Sequence, residues 1–320
     1  MRRAVSAQSR TSQWQSVSGI QAHTHEALLH EAEREFRQGV AAFVAPALRD
    51  GQPLAFLLPR SKLDLVEDLA GEAAVVRRFE PLQVGRNPGR LLALFERLLD
   101  DHPGQQLHCI SEPVWPGRDP KETLEVFRHE ALVNRALAGR PIRLLCTYDV
   151  RALDRDAVAL AERTHPRTVV SGMSTASAAY RPDIPSECET ELPTPPHDAR
   201  TYEVCRERLA LLREAVRRFA RCAGSSEEAL HNVETVASEL AGNALEHGGS
   251  PRRLRLWRAG GTLVCQVESR GEISDPLAGR RRPEPSPGAG LGLFIVHQLS
   301  DLVEVRTGRS TTIRAHFALG

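Results

Sequence analysis

From residue 54 to residue 163, short apolar runs alternate with amphipathic stretches of helix length. This alternation restricts the chain more than any other feature. Leu54–Leu58, Ala74–Val76, Gln106–Ile110 and Arg143–Tyr148 read as strands. Ser61–Leu69, Leu91–Leu99, Glu122–Leu137 and Ala152–Arg163 read as helices between them. A further helical pattern starts near His23 and runs through Ala27, Leu28, Ala32, Phe36, Val40, Phe43 and Leu48. Strands joined through helices pair side by side in the same direction, so the expectation over roughly 20–170 is a parallel-sheet α/β domain.

The pattern stops at 172–200. That stretch is rich in Ser, Thr, Pro and Ala, has no apolar period, and reads as a linker. Beyond it a helix is expected over Tyr202–Ala220, and Ser226 caps a second. Leu254–Trp257 and Thr262–Val267 then alternate as an antiparallel pair around Ala259–Gly261. A Gly/Pro/Arg-rich loop (270–290), a helix at Leu291–Leu299 and strands at Leu302–Arg306 and Thr311–Phe317 complete the chain. Two helices followed by a mostly antiparallel sheet make an α/β sandwich. A length of 320 residues suits two domains. The division is a disordered lead-in at 1–20, a first domain at 21–171, a linker at 172–198 and a second domain at 199–320.

A net charge of +1 gives no general attraction to nucleic acid or acidic lipid. Lysine occurs only at 62 and 121, and neither sits in a Gly-rich loop, which excludes a Walker-type phosphate loop. No apolar run approaches the roughly 18 residues a membrane span needs. Met1–Ile20 lacks the apolar core of a secretory signal. The six cysteines, at 109, 146, 188, 205, 222 and 265, form no CxxC pair and no zinc-like spacing. The expected location is the cytoplasm, with reduced thiols.

Two stretches carry chemistry. In Thr235-Val-Ala-Ser-Glu-Leu-Ala-Gly-Asn-Ala-Leu-Glu-His247, residues Glu239, Asn243, Glu246 and His247 share one helix face. A carboxylate and an amide one turn apart can orient a hydroxyl and supply an oxygen to a metal. The same residues also describe an ordinary solvated face. In Pro287-Gly-Ala-Gly-Leu-Gly-Leu-Phe-Ile-Val-His297, three glycines precede a helix whose free N–H groups suit a phosphate.

Together, Glu239-x-x-x-Asn243, a strand ending near Gly271 and the loop closing on Gly290-Leu-Gly-Leu resemble the GHKL (Bergerat) ATPase superfamily. The narrower resemblance is to its anti-sigma-factor serine kinases, over roughly 200–320. It implies ATP and Mg2+ as cofactors, Glu239 as the base and Asn243 as the Mg2+ ligand. It implies Gly288, Gly290, Leu291 and Gly292 around the triphosphate, under a lid at 275–288. It also places Glu246, His247, Ser269, Gly271 and Thr312 among the nucleotide-side positions. A sigma factor and an anti-anti-sigma (STAS) protein are the implied partners, and a homodimer the implied assembly. The superfamily strand ends Val-x-Asp-x-Gly, its Asp accepting the adenine amino group. Here the run is Val267-Glu-Ser-Arg-Gly271, and a neutral Ser269 in that place is expected to cost ~1–2 kcal/mol, about tenfold in affinity.

In the first half, His25-Glu-Ala-Leu, Gly85-Arg-Asn-Pro-Gly-Arg90, Glu112-Pro-Val-Trp-Pro-Gly117, Arg128-His-Glu-Ala-Leu-Val-Asn134 and Leu145-Cys-Thr-Tyr-Asp149 resemble the MEDS sensory domain. That family is related to the RecA-like fold without its phosphate loop, and is associated with small organic signals. His25 and Cys146 are its implied ligand or redox contacts. Glu112 and Trp115 sit at a strand end, where α/β domains bind ligands. Each also has a plain structural reading as a packing or capping residue. The whole reads as a signalling regulator: an anti-sigma-type serine/threonine kinase governed by a small-signal domain. The rivals are a GHKL module that binds partners without catalysis, and a sensor histidine kinase with its acceptor in Arg128-His-Glu130.

Overall fold

The computed structural model describes residues 23–70, 76–283 and 290–319. The first half is a seven-stranded sheet in the order β3-β2-β4-β5-β1-β6-β7. Its strands are β1 (Thr24–His30), β2 (Leu54–Leu57), β3 (Val76–Phe79), β4 (Leu107–Ser111), β5 (Ile142–Asp149), β6 (Arg167–Val170) and β7 (Met173–Ala176). All neighbours pair parallel except β6 and β7. Successive residues of the central strands enter different cores, as the two-residue side-chain period requires. Leu54, Phe56, Leu28 and Leu145 pack with α1 (Glu33–Arg49) and α2 (Arg60–Ala70). Ala55, Leu57 and Leu144 pack instead with α4 (Leu91–Asp101) and α5 (Pro120–Ala136). Ala27, Cys146 and Tyr148 meet α5 and α6 (Arg155–Thr164). A short α3 (Pro81–Val84) precedes α4. A sheet covered on both faces has apolar residues at consecutive positions, and the near-continuous apolar runs are its signature.

Four expectations change. The helical pattern near His23 begins only at Glu33, because 24–30 form β1. Leu28, Ala32, Phe36 and Val40 happen to fall four apart, but Leu28 belongs to a strand buried on both sides. The expected strand Ala74–Val76 falls mostly outside the described residues, and the described strand is Val76–Phe79. The stretch expected as a linker supplies β7 on the sheet edge and a 3-10 turn at Ser186–Glu189 that buries Cys188. The helix expected from Tyr202 starts at Leu209, since β8 (Arg200–Glu203) pairs with the second sheet instead.

The second half is a five-stranded antiparallel sheet, order β11-β12-β10-β9-β8. It comprises β9 (Gly249–Ala259), β10 (Thr262–Arg270), β11 (Leu302–Arg306) and β12 (Thr311–Ala318). Helices α7 (Leu209–Ala223), α8 (Glu227–His247) and α9 (Leu291–Leu299) bury their apolar stripes against one face. The Ser226 hydroxyl caps α8 by accepting the N–H of Ala229 at 3.2 Å. Gly224, at φ 88°, ends α7 in the left-handed region.

Candidate functional site

Val233, Val236, Ala237, Leu240, Ala241 and Ala244 anchor α8 in the core. With that stripe buried, Glu239 and Asn243 turn toward the first turn of α9. There they meet Gly292: a Cβ at that position would lie 2.7 Å from Glu239 Oε2 and 3.0 Å from Asn243 Oδ1. The missing side chain is what lets the carboxylate and amide reach the helix N-terminus. Gly290, at φ 63°, starts the helix from the left-handed region. Helix N-termini carry unpaired N–H groups and a partial positive charge, a ready cradle for phosphate.

Beside this junction lies a cleft of about 560 Å³. Leu240, Val267, Leu293 and Ile313 give it an apolar floor, and Asn243, Ser269 and Thr311 offer polar atoms. An apolar slot with a few polar groups is the form a planar base and its sugar need. Ser269 and Thr311 are register partners on β10 and β12. The Thr311 hydroxyl donates to the Gly271 carbonyl at 2.8 Å. Gly248 ends α8 directly over Ser269, where a Cβ would lie 2.5 Å from the Ser269 hydroxyl.

The expected positions therefore sort as follows. Glu239, Asn243 and Gly292 converge, and Ser269, Gly271, Gly290 and His247 border the cleft. Thr312 does not, because the strand period turns it to the other face with Glu268 and Arg314, where it lines a separate cleft. Thr311, which the sequence reading passed over, holds the cleft side. Glu246 is exposed and lies 3.8 Å from His247, and Leu291 is exposed at the start of α9. Gly288 and the rest of 284–288, the last five residues of the expected lid, lie outside the described residues.

The described part of the lid rests on the first domain. Leu277 is buried among Leu91, Phe95 and Leu132. Gly279, at φ 74°, lets the chain pass against Leu293. Three consecutive arginines then reach across. Arg280 pairs with Glu125 at 3.2 Å. Arg281 donates to the Ala136 carbonyl at 2.9 Å, and Arg282 meets Asp100 at 2.8 Å. Glu125 also pairs with Arg306 of β11 at 2.6 Å. Burial lowers the Arg280 guanidinium to about 10 despite the opposing pull of Glu125.

The far end of α9 is held as well. Asn87 donates to the carbonyls of His297 and Ser300 at 2.9 and 3.1 Å, and Arg90 donates to the same two at 3.0 and 2.6 Å. A side chain at Gly89 would collide with the His297 ring. The run Gly85-Arg-Asn-Pro-Gly-Arg90 is thus a clamp on the second domain. No local pattern signals that, because its partner lies some two hundred positions away.

In the first domain, Glu112 and Trp115 sit together at the end of β4. Glu112 pairs with Lys62 at 2.9 Å, and Trp115 stacks on the Arg118 guanidinium at 4.1 Å. Burial raises the Glu112 carboxyl. His25 and Cys146 form a separate buried pair, Nε2 to Sγ 3.4 Å. Two residues missed in the sequence, Glu130 and His165, complete that group. Burial, with the Glu130 carboxylate alongside, pushes the Cys146 thiol well above its ordinary range, which disfavours a redox-active thiolate. His129 is buried inside α5 and its imidazole is lowered to about 4, burial being the main cause.

Comparison with known proteins gives one family match in each half of the chain. Residues 24–166 match the MEDS family, the methanogen/methylotroph DcmR sensory domain. Residues 204–317 match the histidine kinase-like ATPase domain family. No curated protein matches. Among solved structures the chain is similar to the RsbU and RsbW domains of Rv1364c from Mycobacterium tuberculosis, at 17% identity and a TM-score of 0.30. That match covers 64% of this chain, and the chain spans 49% of that one. The chain thus carries a MEDS domain at 24–166 joined to a histidine kinase-like ATPase domain at 204–317.

Proposed function

We propose that the second domain binds Mg-ATP in the cleft and phosphorylates a serine or threonine of a partner protein, in the manner of an anti-sigma kinase. The observation that carries this reading is the meeting of Glu239 and Asn243 at Gly292, where a Cβ would fill the space. The donor set fits the group: an amide oxygen suits a hard cation, and a glycine-lined helix start suits phosphate. Asn243 would hold Mg2+, and Gly290, Gly292 and the α9 N-terminus would hold the phosphates. Mg-ATP supplies an activated phosphoryl group and the cation that offsets its charge. Glu239 holds an incoming hydroxyl by accepting its hydrogen bond, and takes up its proton. The apolar walls of the cleft keep water from competing for that place.

The contacts of the lid support a sensory control of this site. Leu277 and Arg280–Arg282 rest on α4 and α5, so a signal that shifts those helices moves one wall of the cleft. The sigma-factor and STAS partners rest on the sequence resemblance.

One observation favours the module without catalysis. Ser269 replaces the carboxylate that would read the adenine amino group, and it is packed beneath Gly248. The histidine-kinase reading has no such support, since His129 is buried in the first domain where a γ-phosphate has no access. Labelled ATP, the full chain and candidate STAS proteins separate the alternatives. Label transfer lost in Glu239→Ala supports the kinase. Partner binding that persists with no transfer and no ATP dependence sinks it in favour of the module.

A further inference from the structure

His25 of β1, Glu130 of α5, Cys146 of β5 and His165, just beyond α6, meet beneath the first sheet. All four are buried, and their ligating atoms lie within 4.8 Å of one another. Glu130 Oε2 is 2.8 Å from His25 Nε2, 3.2 Å from His165 Nε2 and 3.3 Å from Cys146 Sγ. Cys146 Sγ is 3.4 Å from His25 Nε2.

The outer hydrogen bonds fix which ring nitrogens carry protons. The Asn134 amide nitrogen donates to the carbonyls of Glu130 and Thr164, at 3.1 and 2.8 Å. Its oxygen must therefore accept from His25 Nδ1–H, 3.0 Å away. His165 Nδ1–H donates to the Ala161 carbonyl at 2.7 Å. In the neutral rings both Nε2 atoms are then bare lone pairs. They face a carboxylate oxygen, acceptor against acceptor. His165, 0% exposed, has no hydrogen-bond partner at Nε2.

Protonating both rings would place two imidazolium ions with centroids 4.0 Å apart in a dry interior, a strong mutual repulsion. A single proton, on one ring or on Glu130, satisfies one of the two nitrogen–oxygen contacts and leaves the other acceptor against acceptor, whereas a divalent cation satisfies both. Two neutral imidazoles, one thiolate and one carboxylate around a 2+ ion give a site of zero net charge. The nitrogen, sulfur and oxygen donors suit a borderline metal. With Zn–N near 2.0 Å and Zn–S near 2.3 Å, tetrahedral edges come to roughly 3.3–3.7 Å. Of the six edges of such a site, the three at 3.2, 3.3 and 3.4 Å fall within about 0.1 Å of that range. The His25–Glu130 edge at 2.8 Å must open by about half an ångström. The two edges from His165 to His25 and Cys146 lie within 4.8 Å and close onto the ion. Nδ1–H groups held by an amide and a carbonyl are the outer partners that metal-bound histidines have. Ser111 donates to Cys146 Sγ at 3.3 Å, a hydrogen bond that favours thiolate.

We propose that His25, Glu130, Cys146 and His165 form a closed tetrahedral site for one Zn2+-class ion. Binding exchanges the Cys146 thiol proton for a metal–sulfur bond and releases one proton to solvent. The ion ties two central strands to α5 and to the end of α6. It lies on the same helix as Glu125, the residue that holds Arg280 and Arg306.

The test strips the purified full chain with a chelator and titrates it with Zn2+ alone, then with Co2+ alone. Expected are one equivalent bound per chain, release of one proton, a raised Tm, and a thiolate-to-cobalt charge-transfer band. Cys146→Ser should abolish that band. Asn134→Ala, outside the ligand set, should weaken Zn2+ binding about 10–100-fold while far-UV circular dichroism is unchanged. Absence of stoichiometric binding by the wild-type chain overturns the proposal, whatever the variants do. So does a cobalt spectrum unchanged in folded Cys146→Ser.

Discussion

Glu125 and Arg280 form an ion pair in which the two residues are only 1% and 3% exposed, and they belong to different domains. Glu125 also holds Arg306, so its removal leaves two cations without that partner. Breaking a buried pair from one side typically costs ~3–5 kcal/mol, because the remaining charge stays desolvated. Glu125→Ala should lose that much in urea unfolding, and Arg280→Met in the same chain should restore part of it. A loss below about 1 kcal/mol would mean that the two domains do not depend on this pair.

At Gly292 an added methyl should cost nucleotide binding rather than stability. Gly292→Ala inserts a methyl into the space where Glu239 and Asn243 meet α9. Because alanine is a better helix former, the fold should tolerate it. Mg-ATP affinity should fall about tenfold or more, a displacement worth at least ~1.4 kcal/mol. Titration calorimetry on the variant reads this directly, and unchanged affinity would place the nucleotide elsewhere.

Ser269→Asp tests whether the adenine end of the cleft is weakened. A charged acceptor makes a hydrogen bond roughly twice as strong as a neutral one. Affinity for ATP should rise about tenfold, with little change for a nucleotide lacking the exocyclic amino group. An equal gain for both would point to a general electrostatic effect instead.

The sequence made the two architectures legible for different reasons. The first sheet is covered on both faces, so Leu54–Leu58 and Arg143–Tyr148 are dense apolar runs with no rival reading. The Glu239–Asn243 helix was legible because its chemistry is local, one turn apart, and the Gly290–Leu293 loop could be matched to it. Positions decided by side-chain alternation were harder. Thr311 and Thr312 are chemically identical, and only the register with Ser269 shows which faces the cleft. Non-local sets were out of reach: Glu130 and His165 join His25 and Cys146 through topology, and Arg280–Arg282 find α4 and α5 across the domain boundary. Nor could β1 be told from a helix start, since its residues continue the spacing of α1 by coincidence.

Three buried histidines make stability depend on pH in one direction. Burial first and Lys62 second lower His30 to about 4. Burial first and Arg143 second lower His108 to about 4. His297, enclosed between the domains, is held well below its ordinary value by burial, with Arg280 and Arg90 adding to it. In the unfolded chain each titrates near 6.5. Below that pH the unfolded state binds protons that the folded state refuses, so the sign is fixed: stability falls as pH falls. The contribution is fully present above 6.5 and is lost progressively as pH drops from 6.5 toward 4. Urea midpoints should therefore be flat from pH 8 to pH 7 and decline steadily below. His108→Gln should flatten part of that decline, because a neutral side chain has no proton to take up. A midpoint that holds constant down to about pH 5 would show that these rings are not neutral in the folded chain.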